Sequence, residues 1–285
     1  MSAAREVTTV VTRQPTMEGA GVRLHRVFGF GATPKLDPFL LLDDFGSDDP
    51  DDYLAGFPWH PHRGIETVTY MLAGEVEHGD SLGNRGVIRS GDVQWMTAGS
   101  GIVHQEMPMR FDGRMRGFQL WVNLPASHKM MDPRYRDVAA DTIPEVAAGD
   151  GVRVKVIAGE IGGVGGPVRD VVAGPEYLDV TLDPGAKFER ALPAGNTAFA
   201  YLVDGTGRFG PGGGTEVAAG QLAVLGGDGP VQAAGGGPGC RFLLVSGRPL
   251  GEPVAWRGPI VMNTEEELAT AFREYRQGTF IKSRG

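Results

Sequence analysis

Residues 57–74, FPWHPHRGIETVTYMLAG, carry the pattern that decides how this chain folds. After the glycine at 64, Glu66, Val68, Tyr70 and Leu72 fall on one parity, the period of a strand with one buried face, and Gly74 marks the next turn. Runs of the same kind recur at 87–96, 118–122, 152–158 and 242–246, each bounded by Gly, Pro, Asn or Asp. Short alternating runs between turn residues are the mark of an all-β sandwich or barrel. One segment reads as a helix, 265–277, where Leu268, Ala271, Phe272 and Tyr275 stand at i, i+3, i+4 and i+7. Thr264 and Glu267 supply a capping box at its start and Gly278 a stop. Its apolar face predicts packing on a barrel.

The length of 285 residues suits two domains of roughly 150 residues each. Segment 127–150 shows little strand alternation and reads as the connector, so the expected domains are 1–135 and 136–285. With 45 glycines and 20 prolines the chain is rich in turns, yet 41 % of it is hydrophobic, enough to build cores. No apolar run approaches the ~20 residues of a membrane span, and the first residues, MSAAREVTTVV, show no basic start leading into an apolar stretch. A cytoplasmic location is expected. One cysteine, Cys240, excludes a disulfide framework and a thiolate metal cluster, and just before 242–245 it reads as a small buried residue. The net charge of −8 is unfavourable for direct contact with nucleic acid.

The halves repeat each other. YMLAG at 70–74 lies over YLVDG at 201–205 with an offset of 131, and SGDVQWM at 90–96 over AGQLAVL at 219–225 with an offset of 129. Two segments at nearly one offset point to an internal duplication.

Three of the six histidines fall in two blocks, 57–74 and 90–108. Residues two apart in a strand point the same way, so His60 and His62 share a face, and with a continuing strand they share it with Val68, Tyr70 and Leu72. His104 and Glu106 repeat the spacing on a second strand. The two pairs converge as three imidazoles and one carboxylate, a ligand set for a transition metal. Buried without a metal, these groups would need other polar partners. Glu66 has the same parity as His62, and strand phase does not choose between Glu66 and Glu106 as the oxygen ligand. Such a set suits Fe, Mn, Co, Ni, Cu or Zn and disfavours Mg and Ca. His25, His78 and His128 lack a paired ligand and read as surface or structural residues. At the matching places in the second half stand Ala191, Pro193, Ala233 and Gly235, so no metal of this kind is expected there.

The blocks DPFLLLDDF (37–45), HPHRGIETVTY (60–70), GDVQWMTAGSGIVHQEMP (91–108) and RQGTFIKS (276–283) resemble those of pirins, a branch of the cupin superfamily. The resemblance runs over nearly the whole chain and is densest before about residue 125. It implies a bicupin: two tandem jelly-roll β-barrels, the first holding one metal, iron(II), on the residues matching His60, His62, His104 and Glu106. It thereby selects Glu106 over Glu66. It also implies a dioxygenase acting on a flavonol such as quercetin; the inward HxE pair would set Glu106 beside an open metal position, where, able to loosen from the metal, it serves as catalytic base for the substrate hydroxyl. The alternative is a non-enzymatic, iron-responsive regulator that binds a transcription factor or a metabolic enzyme.

Other features have plainer readings. The acidic run 47–53, SDDPDDY, is expected to be a solvated loop, and the glycine-rich runs 162–167 and 210–215 are turns, since neither opens a helix or carries the Lys of a phosphate loop. Trp95, Met96 and Met107 suit either a pocket wall or a core.

Overall fold

The computed structural model describes residues 3–30 and 36–282; Ser283, the last residue of the 276–283 block, lies outside them. The chain is built of strands with one α-helix among the described residues, Glu265–Arg276. Thr264 caps it through a full capping box, and Gly278 beyond its end has φ +70°.

Two compact units form, and they do not follow the linear division into 1–135 and 136–285. One comprises the described residues of Met1–Arg13, Pro34–Pro38 and Asp141–Pro249; the other those of Gln14–Thr33, Phe39–Ala140 and Leu250–Gly285. The reason is strand pairing. Glu6–Thr12 hydrogen-bonds to Gln221–Gly226, which places the first strand in the sheet of the second half. At the other end, the helix packs with the hairpin Ala255–Arg257 and Ile260–Met262 through Leu268 and Ala271, with Phe280 beyond the helix joining the cluster against Val103.

The unit built around the first half contains two main sheets. The larger runs in the order Arg134–Val138, Val93–Thr97, Ile65–Ala73, Met115–Asn123, Phe39–Ser47, Val22–Phe28, Gln14–Glu18. The smaller runs Phe57–His62, Ile102–Pro108, Val76–Asp80, Arg85–Ile88. The strand does not continue from His62 to Leu72. Gly64 has φ +77°, a conformation L side chains rarely adopt, and a Cβ there would lie 1.9 Å from the Val261 carbonyl oxygen. The chain therefore leaves the small sheet after His62 and enters the large one at Ile65. The run 87–96 is likewise divided, by a turn in which Asp92 Oδ2 accepts from the Arg89 amide at 2.8 Å. The expected connector carries two strands, Arg134–Val138 and Glu145–Ala147.

The other unit is a nine-stranded sheet whose core includes Val154, Leu178, Phe188, Phe209 and Phe242. The duplication appears in its strand register. Tyr70 faces Val93 and Val68 faces Trp95 in the first half; Tyr201 faces Leu222 and Phe199 faces Val224 in the second. These are the pairs that offsets of 131 and 129 predict. Ala233, at the place of His104, packs into this apolar core, as does Cys240. The glycine-rich run after Phe209 makes the turn into Thr215–Ala218.

Candidate metal centre

The small sheet brings the histidines together. His60 lies directly opposite His104 in the antiparallel pair, and His62 opposite Ile102 two residues along. Opposed side chains and those two apart share a face. Ring centroids are 4.9 Å apart for His60 and His62, 4.4 Å for His60 and His104, and 5.0 Å for His62 and His104. One nitrogen from each ring lies within 4.8 Å of the other two, so the three form a group able to hold a metal ion.

The hydrogen bonds around the rings show that this group suits a cation. His60 Nδ1 lies 2.9 Å from the Pro58 carbonyl oxygen and His62 Nδ1 3.0 Å from that of Pro259. A carbonyl only accepts, so both Nδ1 atoms carry the proton, and in a neutral ring Nε2 then holds a lone pair. The two Nε2 atoms face each other at 3.1 Å, an arrangement that suits a cation between them. Burial holds all three histidines below the ordinary value, His62 and His104 well below it, so a proton is disfavoured in that role. Neither ring nitrogen of His104 has a protein partner. Neutral, convergent imidazoles are the form in which histidine binds metal.

Glu106 stands outside the three-histidine group. A register irregularity between His104 and Glu106 shifts the pairing so that Glu106 faces Phe57. Its carboxylate is buried, accepts from the Thr69 hydroxyl at 2.9 Å, and lines the same cavity as His60 and His62. Burial pushes its pKa up to about 7, with the Thr69 bond opposing. Glu66 is also buried, but its Oε1 accepts from the Thr97 hydroxyl at 2.7 Å. His78 is structural rather than superficial: it is buried, with Nδ1 2.6 Å from the Tyr135 hydroxyl.

The cavity has a volume of about 590 Å³. Trp121, on the strand Met115–Asn123, sets its ring edge-on to His62 at 5.0 Å, Trp256 lies 6.0 Å from Trp121, and Phe30 meets Trp256 at 5.4 Å. One polar wall consists of Arg26, which donates to Asp43 at 2.9 and 2.8 Å and pairs with Glu18 at 2.8 Å. Trp95, Met96 and Met107 are not among the lining residues. Trp121 and Trp256 had no signal in the sequence, because their roles depend on which strands the fold sets beside His62. The acidic run 47–53 forms a short turn in which Asp52 takes the Ser47 hydroxyl at 2.6 Å and Arg23 at 3.2 Å.

Two family models match, that of pirin over residues 21–122 and that of the pirin C-terminal cupin domain over 177–281. The chain is 44 % identical to a Pseudomonas aeruginosa protein named "Putative quercetin 2,3-dioxygenase", over 98 % of this chain and 99 % of that one. It is 42 % identical to Homo sapiens pirin, over 97 % of this chain and 94 % of that one. A crystal structure of quercetin 2,3-dioxygenase from Acinetobacter baumannii superposes with a TM-score of 0.89 at 33 % identity, covering 98 % of this chain and 99 % of the other. No helix among the described residues is long and apolar enough to cross a membrane. The relation extends from the first sheet to the closing helix, and this chain belongs to the pirin family, with two tandem cupin domains.

Proposed function

We propose that this protein is a metal-dependent dioxygenase that opens the heterocycle of a flavonol such as quercetin, with iron(II) held by His60, His62, His104 and Glu106. The carrying observation is the pair of Nε2 atoms 3.1 Å apart in the wall of a roughly 590 Å³ cavity. A bound iron(II) supplies Lewis-acid stabilisation of a deprotonated substrate hydroxyl and a route for electrons to dioxygen. The chain's own residues do the rest.

Trp121 and Trp256 give the cavity flat aromatic faces suited to a planar ring system. Glu106, on the same wall as His60 and His62, takes the proton of the substrate hydroxyl as general base. Thr69, donating to Glu106 Oε1 at 2.9 Å, holds that carboxylate in orientation. The buried setting of His62, His104 and Glu106 limits competing contact with water. A cytoplasmic site of action accords with this reading.

The test combines elemental analysis of the purified protein with an oxygen electrode and a series of flavonols. Oxygen uptake that depends on iron and falls at least about a hundredfold in Glu106→Gln is expected. Iron-loaded protein that consumes no oxygen with any flavonol overturns the reading.

A further inference from the structure

The C-terminal segment returns to the metal centre by several independent bonds. The turn of the hairpin Ala255–Arg257 and Ile260–Met262 contains Pro259, whose carbonyl accepts from His62 Nδ1 at 3.0 Å. Three links bind the hairpin and the segment that follows it to the chain around His62. The Val261 amide donates to the Arg63 carbonyl at 3.1 Å. The Lys129 ammonium, 1 % exposed, donates to the carbonyls of Gly64 at 2.9 Å and Val261 at 3.1 Å, and to Asn123 Oδ1 at 2.7 Å. Arg63, 2 % exposed, donates to Glu274 on the helix at 2.8 Å and to the Phe280 carbonyl at 2.8 Å, with its guanidinium 4.2 Å above the Phe280 ring.

We infer that the C-terminal hairpin and helix are a positioning element of the metal centre, with the Pro259 carbonyl setting the tautomer and direction of His62 and the Arg63 clamp holding that carbonyl in register. This rests on the metal reading above. The chemistry is that of a metal-bound imidazole: a fixed acceptor on Nδ1–H keeps the proton off Nε2, raises its basicity and stops the ring from turning. A carbonyl at the tip of a two-stranded hairpin is a poor anchor by itself, because such a ribbon is marginally stable alone. Lys129 bonds the hairpin directly, and Arg63 fastens it through its neighbours: Ala255, Ile260 and Met262 of the hairpin pack against Leu268, Ala271 and Phe280, and Arg63 holds the helix and the Phe280 carbonyl. Arg63 is covalently next to His62, and it bonds to both the helix and the segment beyond it. Arg63 is thus a positioning residue, touching neither metal nor substrate.

The test is cobalt(II) affinity and the visible ligand-field spectrum of the full chain, compared among wild type, Arg63→Met, Glu274→Gln and Thr264→Ala. Thr264→Ala weakens the same helix at its cap without touching the clamp. The expected result is a roughly 10- to 100-fold loss of affinity in Arg63→Met with altered band positions, and a smaller loss in the same direction in Glu274→Gln. Thr264→Ala should stay within twofold of wild type. Wild-type affinity and spectrum in Arg63→Met overturn the inference, as does an equal loss in Thr264→Ala. If Arg63→Met does not fold, Glu274→Gln decides, since Arg63 there keeps the Phe280 carbonyl and Lys282 loses only one partner. Wild-type protein that fails to bind cobalt(II) overturns the metal reading itself, an outcome distinct from unchanged affinity in the variants.

Discussion

Replacing His104 by leucine separates what this side chain gives to a metal from what it costs the fold. His104 is 1 % exposed, and neither of its ring nitrogens meets a protein partner. An unsatisfied buried polar group costs about 1–3 kcal/mol, and a swap of similar volume in a core usually costs under about 1.5 kcal/mol. The metal-free His104→Leu protein is therefore expected to lie between about 0.5 kcal/mol below and about 3 kcal/mol above metal-free wild type in stability. With metal the balance moves toward wild type. At a free metal concentration of 100 times the dissociation constant, binding stabilises wild type by about 2.7 kcal/mol. That corresponds to a rise in Tm of roughly 5–11 °C for a chain of this size class. The variant, with two histidines remaining, should show little of that rise. Thermal unfolding followed by circular dichroism, on chelator-stripped protein with and without added nickel(II), reads both effects. The reasoning fails if the metal-free variant is destabilised by more than about 1 kcal/mol, or if it keeps the metal-dependent rise.

Three further outcomes follow from the same geometry. Glu106→Gln should weaken metal binding by more than about tenfold while Glu66→Gln leaves it within twofold, since Glu106 lines the cavity with His60 and His62 whereas Glu66 bonds Thr97 and is not among the lining residues; calorimetric titration that ranks them the other way exchanges their roles. The Lys129 ammonium is pushed by burial from 10.5 down to about 8, with Glu252 and Glu267 opposing. Between those two values the unfolded chain holds the extra proton, so stability from this group rises with pH there, by up to about 3 kcal/mol. Urea unfolding of wild type and Lys129→Met at pH 7 and pH 10 should show the gap shifting toward wild type at the higher pH; a constant gap refutes it. Thr264→Ala removes the side-chain acceptor of the helix cap and should cost about 1 kcal/mol in the unfolding of the unit that contains the helix, measured by denaturant titration.

Much of the fold was readable from local chemistry. The strand at Ile65–Ala73, its neighbour Met115–Asn123 and the capped helix all come from periodicity and turn residues acting over a few positions. The duplication was readable as well, down to the facing of Tyr70 with Val93 and of Tyr201 with Leu222. Misreadings arose where a distant backbone intervened. Gly64 ends the strand after His62 because the Val261 carbonyl occupies the space a side chain would need, and residue 261 is far away in sequence. The compact units interleave along the chain for the same reason: Glu6–Thr12 finds its partner at Gln221–Gly226, a pairing set by edge geometry that no local pattern encodes.

The candidate site divides along the same line. The spacing of two within each pair determined that His60 and His62 share a face, and that His104 offers its imidazole from a neighbouring strand, because the side-chain period of a strand is fixed by its backbone. Strand phase left Glu66 and Glu106 equal as oxygen ligands. The tertiary structure places Glu106 in the histidine-lined cavity and turns Glu66 to Thr97. It also decided what surrounds the rings: Trp121 beside His62, Trp256 beyond it, and the Pro259 carbonyl on His62 Nδ1. The last of these joins residues nearly two hundred positions apart, and the contacts of Trp256 and Pro259 exist only because the returning C-terminal hairpin is held against the strand that carries the ligands.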